Sequence, residues 1–146
     1  MFPEDFNSWE GEVVKSELVR PRAVAWYRNP SRASQDSLGI IYEDGGEPKI
    51  VRPDFVFFAQ QDDGTVVADI VDPHGIQFGD AMPKLKGLAQ YAERFGDQYR
   101  RIEAVAKIDD TFRVLDLKEA TTRTSISTAT TIKALYEGKN ASDYLP

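Results

Sequence analysis

Two runs rich in β-branched and aromatic residues, Val51–Ala59 and Thr65–Val71, flank the turn-forming stretch Gln61-Asp62-Asp63-Gly64. The pattern predicts adjacent antiparallel strands joined by a tight turn. In such a pair the start of the first strand lies beside the end of the second. Asp54 stands near the start of one run, and Asp69 and Asp72 stand at the far end of the other. The hairpin therefore brings Asp54 towards Asp69 or Asp72. Carboxylates gathered at the edge of a buried sheet repel one another unless a cation joins them, and hard oxygen ligands suit Mg²⁺ or Mn²⁺. Aspartate at a strand end is also ordinary turn chemistry, and Asp72-Pro73 can simply stop the second strand. At this point both readings stand.

The rest of the chain reads as alternating helices and strands. Phe6–Leu18 has helical spacing, with Asn7 or Ser8 as cap and Phe6, Trp9, Val13, Val14 and Leu18 on one broad face. Glu10 and Glu17 fall within that face, where an acid needs a partner, either an arginine such as Arg28 or Arg52 or a shared cation. Ala23–Arg28, Gly39–Glu43 and Lys49–Ala59 read as strands before the Thr65–Val71 strand. The arginine-flanked loop Asn29–Arg32 reads as solvated charge or as a phosphate contact.

A second helix spans Ala81–Phe95, capped by Asp80, with Ala81, Leu85, Leu88, Ala92 and Phe95 as its core stripe. Lys84 lies along one edge of the stripe, where a lysine can snorkel over apolar surface, and Lys86 points to the solvated side. Arg101–Ile108 and Phe112–Leu117 form a hairpin through Asp109-Asp110. The threonine-rich Lys118–Ser127 reads as a loop, and Ile126–Glu137 as a closing helix capped by Gly138, with Ile132, Leu135 and Tyr136 inward. The expected fold is a single α/β domain over residues 1–146, a mixed sheet flanked by helices.

Composition limits what such a domain can do. The absence of cysteine excludes disulfides, thiolate metal sites and thiol nucleophiles. No apolar run approaches the length of a membrane span and no secretory leader is visible, so a cytoplasmic protein with no membrane partner is expected. The net charge of −6 predicts weak binding to DNA by the isolated domain, because affinity comes largely from Lys and Arg neutralising phosphates.

Pro53-Asp54, followed by a hairpin and then an acidic residue with a further polar group two places on, resembles the PD-(D/E)xK nuclease motif. More widely, VAWYRNPSR, RPDFVFF, ADIVDPHG and PKLKGLAQYAE resemble the C-terminal domain of type III restriction (Res) subunits and related DEAD/DEAH-box helicases, from about Trp9 to Tyr136. The resemblance implies a restriction-endonuclease-like sheet and a nuclease that cuts DNA phosphodiesters with Mg²⁺ or Mn²⁺. It also implies a helicase or ATPase domain or subunit as partner. Cutting both strands asks for a homodimer or for that partner.

The motif's lysine is missing from its usual place. With Asp69 as second carboxylate, Val71 stands there; with Asp72, His74 does, followed by Gly75. Asp72 and His74 share one side of an extended segment and Asp69 has the opposite parity, which favours Asp54 and Asp72 as metal ligands and His74 as the group that orients the water or takes its proton. Asp69 is expected to pair with a helix or an arginine. Some nucleases of this superfamily carry the lysine on the second helix, which implies Lys84, then Lys86, and many place a glutamate on the first helix, which implies Glu10 as a further carboxylate. The alternative is a nuclease-fold module that has lost cleavage and binds or regulates a helicase.

Overall fold

The computed structural model describes residues 8–20, 23–28, 40–44, 46–51, 55–74 and 81–144. In chain order the elements are α1 (Ser8–Leu18), β1 (Ala23–Arg28), β2 (Ile40–Asp44), β3 (Glu47–Val51), β4 (Phe55–Gln60), β5 (Val66–Pro73), α2 (Ala81–Phe95), β6 (Arg101–Ile108), β7 (Thr111–Asp116), α3 (Ala120–Thr128), α4 (Ile132–Glu137) and β8 (Ala141–Asp143). A short 3₁₀ turn, Gly96–Gln98, links α2 to β6.

The main sheet is mixed and has six strands in the order β1-β4-β5-β6-β7-β8; β2 and β3 pair separately. β4 and β5 are antiparallel with Phe55 opposite Val71, and β5 and β6 are parallel with Asp72 opposite Ala104. A parallel pair needs a crossover, and α2 supplies it. The β4–β5 turn forms as its residues dictate: Gly64 takes φ +87°, and the Gln61 N–H donates to the Thr65 carbonyl at 2.8 Å.

Each face of the sheet buries its own apolar set. On one, Val13 and Val14 of α1 pack with Phe55, Phe57, Val71, Val105 and Tyr144. On the other, α2, α3 and α4 cover Ile70, Ile102, Ala104 and Leu115 with Leu85, Leu88, Ile126, Leu135 and Tyr136. Residues 70 and 71 thus face opposite layers, as the period of two requires.

Several elements differ from the sequence reading. Lys49–Ala59 is not one strand: β3 ends at Val51 in the small sheet and β4 begins at Phe55 in the large one. Pro53 falls between them in sequence, and proline cannot donate to a ladder. Lys118–Ser127 is not a loop but is largely helix α3, so the closing helix is confined to Ile132–Glu137, with Thr131 as its cap. Low threonine propensity is overridden because Thr122 and Ile126, four apart, are both buried. Exposed hydroxyls bond inside the helix, Thr124 Oγ1 to the Ala120 carbonyl at 3.0 Å and Ser127 Oγ to that of Thr124 at 2.7 Å. Phe95, read as core, is 38% exposed at the end of α2. The terminal strand β8 had no sequence signal of its own.

Asp109 and Asp110, the expected β6–β7 turn, both take left-handed backbone, φ 48° and 68°. Aspartate tolerates this conformation and glycine adopts it without penalty. Asp110→Gly is expected to stabilise the domain by about 0.5 kcal/mol, the relief of a left-handed residue less the added freedom of the unfolded chain. A higher urea midpoint with an unchanged slope checks it.

Candidate functional site

The second strand of the central hairpin places carboxylates on both faces of the sheet. Asp69 is 1% exposed and Asp72 0% exposed, three residues apart and of opposite parity. Each finds a different layer.

Asp69 faces α1. Its carboxylate accepts from Arg100 Nε at 3.0 Å and from Arg100 Nη2, and from Arg101 Nη1 at 3.2 Å. Arg101 also donates to Glu17 Oε1 at 2.7 Å and to Glu103 Oε1 through Nε at 2.9 Å. Glu17 further accepts from Arg20 Nε at 3.0 Å and from the Tyr144 hydroxyl. Burial pushes the Glu17 carboxyl up, and Arg101, Tyr144 and Arg20 outweigh it, so the group ends below its ordinary value. At Glu103 burial wins over Arg101 and the carboxyl is raised. Tyr144 is pushed up by burial first and then by the charge of Glu17. Glu17 therefore meets Arg101 and Arg20 among the described residues; Arg52 and the side chain of Arg28, named from sequence, lie outside them.

These two shifts give opposite pH dependences. Glu17, lowered, contributes stability that is present above the ordinary carboxyl value of 4.5 and lost as pH falls below it. Glu103, raised, contributes stability that is present below 4.5 and lost as pH rises through its folded value. Glu103→Gln is therefore expected to flatten the decline of stability on the alkaline side of 4.5 and to leave the acid limb in place. Urea midpoints from pH 3.5 to 7 would show it, and an unchanged alkaline slope would refute it.

Asp72 faces α2. The strand ends there: Pro73 has no N–H to give a ladder, and His74 N–H donates to the Val105 carbonyl at 2.9 Å. Asp72 and His74 share one side, with His74 Nδ1 3.7 Å from Asp72 Oδ2. Lys84, in the first turns of α2, sets Nζ 3.3 Å from Asp72 Oδ1. Three residues from two elements thus converge: parity on β5 puts Asp72 and His74 on one side, and the lysine is the one that the resemblance implied. A fourth comes from α4: the Tyr136 hydroxyl lies 2.8 Å from His74 Nε2, with the two rings edge to face at 83°. Burial, then the charge of Asp72, raises the Tyr136 phenol well above its ordinary value, so it stays neutral. His74 is 7% exposed, and its Nδ1 has no hydrogen-bond partner among the described residues.

Of the other residues singled out in the sequence, Asp54 lies outside the described residues. Glu10 belongs to α1, whose described face packs on the layer opposite Asp72, and its own side chain lies outside the described residues. Lys86 lines a shallow groove between α2 and α3 with Glu93 and Arg123, apart from Asp72. Asp69 is separated from Asp72 by the sheet and engaged by two arginines. Tyr136 was legible only as an inward residue of the last helix; its hydroxyl, a polar tip on a buried side chain, was the available signal. Among the described residues no three His, Cys, Asp or Glu gather into a metal-binding group, and Asp72 with His74 forms a pair. No helix among them is long and apolar enough to cross a membrane.

The model of the YagJ family matches residues 1–145. Protein YagJ of Escherichia coli (strain K12) is 48% identical over 143 residues, which is 98% of this chain and 58% of that relative. The chain thus spans a little over half the length of the curated relative it matches. No solved structure matches it.

Proposed function

The chain belongs to the YagJ family, and from the surroundings of Asp72 we propose that it is a metal-dependent nuclease domain that cleaves DNA phosphodiesters. The observation that carries this reading is a fully buried carboxylate at the end of a central strand with a lysine from the crossover helix 3.3 Å away. A carboxylate held out of water beside a lysine and a histidine is a functional-site feature. The order α1, β1, β4, β5, α2, β6, with β4 and β5 antiparallel and β6 parallel to β5, supports a restriction-endonuclease-like arrangement. Asp72 on the second strand of the hairpin and Lys84 on the following helix are consistent with the second acid and the displaced lysine of the resembled motif, which supports the reading.

The residues present fit a divalent cation. Asp72 offers a buried hard oxygen, and beside it stands a buried ring nitrogen with no hydrogen-bond partner among the described residues. Asp72, with Asp54, which precedes Phe55 in the chain, would hold Mg²⁺ or Mn²⁺. Such an ion lowers the pKa of a bound water and offsets charge on the phosphate. Lys84 keeps a positive charge within reach of Asp72 and of a phosphate oxygen, which stabilises the anion that develops there. His74, read from sequence as the residue that orients the water or takes its proton, is braced from behind by Tyr136.

The partner reading follows from charge. At net −6 the domain has little with which to grip phosphates, so productive contact with duplex DNA is assigned to a helicase or ATPase partner or to a further domain such as the remainder of the longer relative. A second copy of the chain would serve cleavage of both strands.

The test is incubation of the purified protein with supercoiled plasmid at low salt in Mg²⁺ or Mn²⁺, with Asp72→Asn alongside. Nicked and linear products that disappear in the variant and with chelator support the reading. Intact plasmid under every condition, including with single-stranded DNA, would leave a non-cleaving module.

A further inference from the structure

We propose that His74 binds the cation directly through Nδ1, so that the site takes a first-row transition ion such as Mn²⁺ in preference to Mg²⁺. The proposal rests on the metal-site reading of Asp72 and deepens it. It replaces both tasks that the sequence left open for His74.

The geometry of Nδ1 is the starting point. The ring is 94% buried by side chain, with a relative exposure of 6%, and Nδ1 has no hydrogen-bond partner among the described residues. It points towards Asp72 Oδ2 at 3.7 Å, beyond hydrogen-bond reach. A buried polar nitrogen left in this way is disfavoured unless something occupies the gap. Two ligand atoms each about 2.0–2.2 Å from one ion lie about 2.8–3.8 Å apart for angles between about 90° and 120°. The observed gap falls at the wide end of that range.

The other nitrogen tells the same story from behind. Nε2 is 2.8 Å from the Tyr136 hydroxyl, and histidines that ligate metals usually engage their second nitrogen with such a partner, which fixes the tautomer. Tyr136, neutral and buried, can accept an Nε2–H and so leave the Nδ1 lone pair facing Asp72. The two Asp72 oxygens are then differentiated: Lys84 sits on Oδ1 and the histidine on the Oδ2 side. Tyr136 acts through His74 and is a positioning residue. Imidazole nitrogen suits Fe²⁺ or Zn²⁺, and Mn²⁺ accepts it more readily than Mg²⁺, which favours oxygen and keeps its waters.

The experiment measures Mn²⁺ and Mg²⁺ affinities by calorimetry for the wild type, His74→Gln, Tyr136→Phe and Asp72→Asn, with Mn²⁺ spin-echo spectra of each. Glutamine preserves a polar group towards Tyr136 and has no atom at the Nδ1 position. The expected results are nitrogen modulation on Mn²⁺ in the wild type, lost in His74→Gln, and a Mn²⁺ affinity about tenfold lower there with Mg²⁺ affinity little changed. Tyr136→Phe keeps the nitrogen signal and weakens Mn²⁺ about tenfold, the usual cost of removing the partner of a ligating histidine. Mg²⁺ and Mn²⁺ binding that vanishes in Asp72→Asn but is untouched in His74→Gln, with no nitrogen modulation, overturns the proposal and leaves the Asp72 reading standing. No binding of either ion by the wild type overturns both.

Discussion

Replacing Arg101 by methionine is expected to lower the free energy of unfolding by about 3–5 kcal/mol, the cost of breaking a buried ionic network from one side. Arg101 lies between Glu17, Asp69 and Glu103, with a side chain only 18% exposed. Removing its guanidinium leaves three carboxylates close together at the α1 face, and Arg20 and Arg100, each 34% exposed, cannot reach all of them. The loss should be smaller at acid pH, where protonation removes the repulsion. A second substitution, Glu17→Leu, should recover part of it, because removing both partners of a buried pair costs far less than removing one. Urea unfolding of the single and double variants measures both effects. A cost below about 1 kcal/mol would place Arg101 among surface ion pairs instead.

The second large effect is chemical. Lys84→Gln is expected to reduce plasmid cleavage by about 10²–10³-fold, the range for losing one preorganised group that stabilises developing charge. Its position argues for this size: Nζ is 3.3 Å from the buried Asp72 oxygen, on an element that packs firmly through Leu85 and Leu88. Lys86→Gln, two residues on and lining the α2–α3 groove, should leave cleavage unchanged. Lys84→Arg should recover little, since a guanidinium presents its charge in a different plane and at greater reach. If Lys84→Gln and Lys86→Gln are equally active, Lys84 is a packing residue at a helix edge.

The parts of this architecture that the sequence carried were those written in short periods. Alternation along the extended segment from Asp69 to His74 separates Asp69 from Asp72 and His74, and the observed partners separate them in the same way. The helical stripe of α2 placed Lys84 at an edge, and an edge is where it meets Asp72. What remained hidden depends on residues far apart in the chain. Nothing local joins Glu17 to Arg101, 84 residues on, or His74 to Tyr136, 62 residues on. Arginines were foreseen as partners for the acids of α1, but which arginine is a property of the β5–α2–β6 crossover, which sets Arg101 opposite Asp69. Helix α3 is illegible in the sequence for another reason. Its threonines favour extended backbone in isolation, and only the burial of Thr122 and Ile126 against the finished sheet makes the helix the better state.

The central claim is that Asp72 holds a divalent cation, and calorimetric titration of the wild type and of Asp72→Asn with Mn²⁺ tests it most directly. Asparagine keeps the shape of the side chain and removes the charge. Binding by the wild type that is lost in the variant, with the metal-free variant still unfolding in one cooperative thermal transition, is the predicted result. Equal Mn²⁺ affinity in the two proteins, or a variant that no longer folds while the wild type binds no cation, would contradict it and return Asp72 to a structural role beside Lys84.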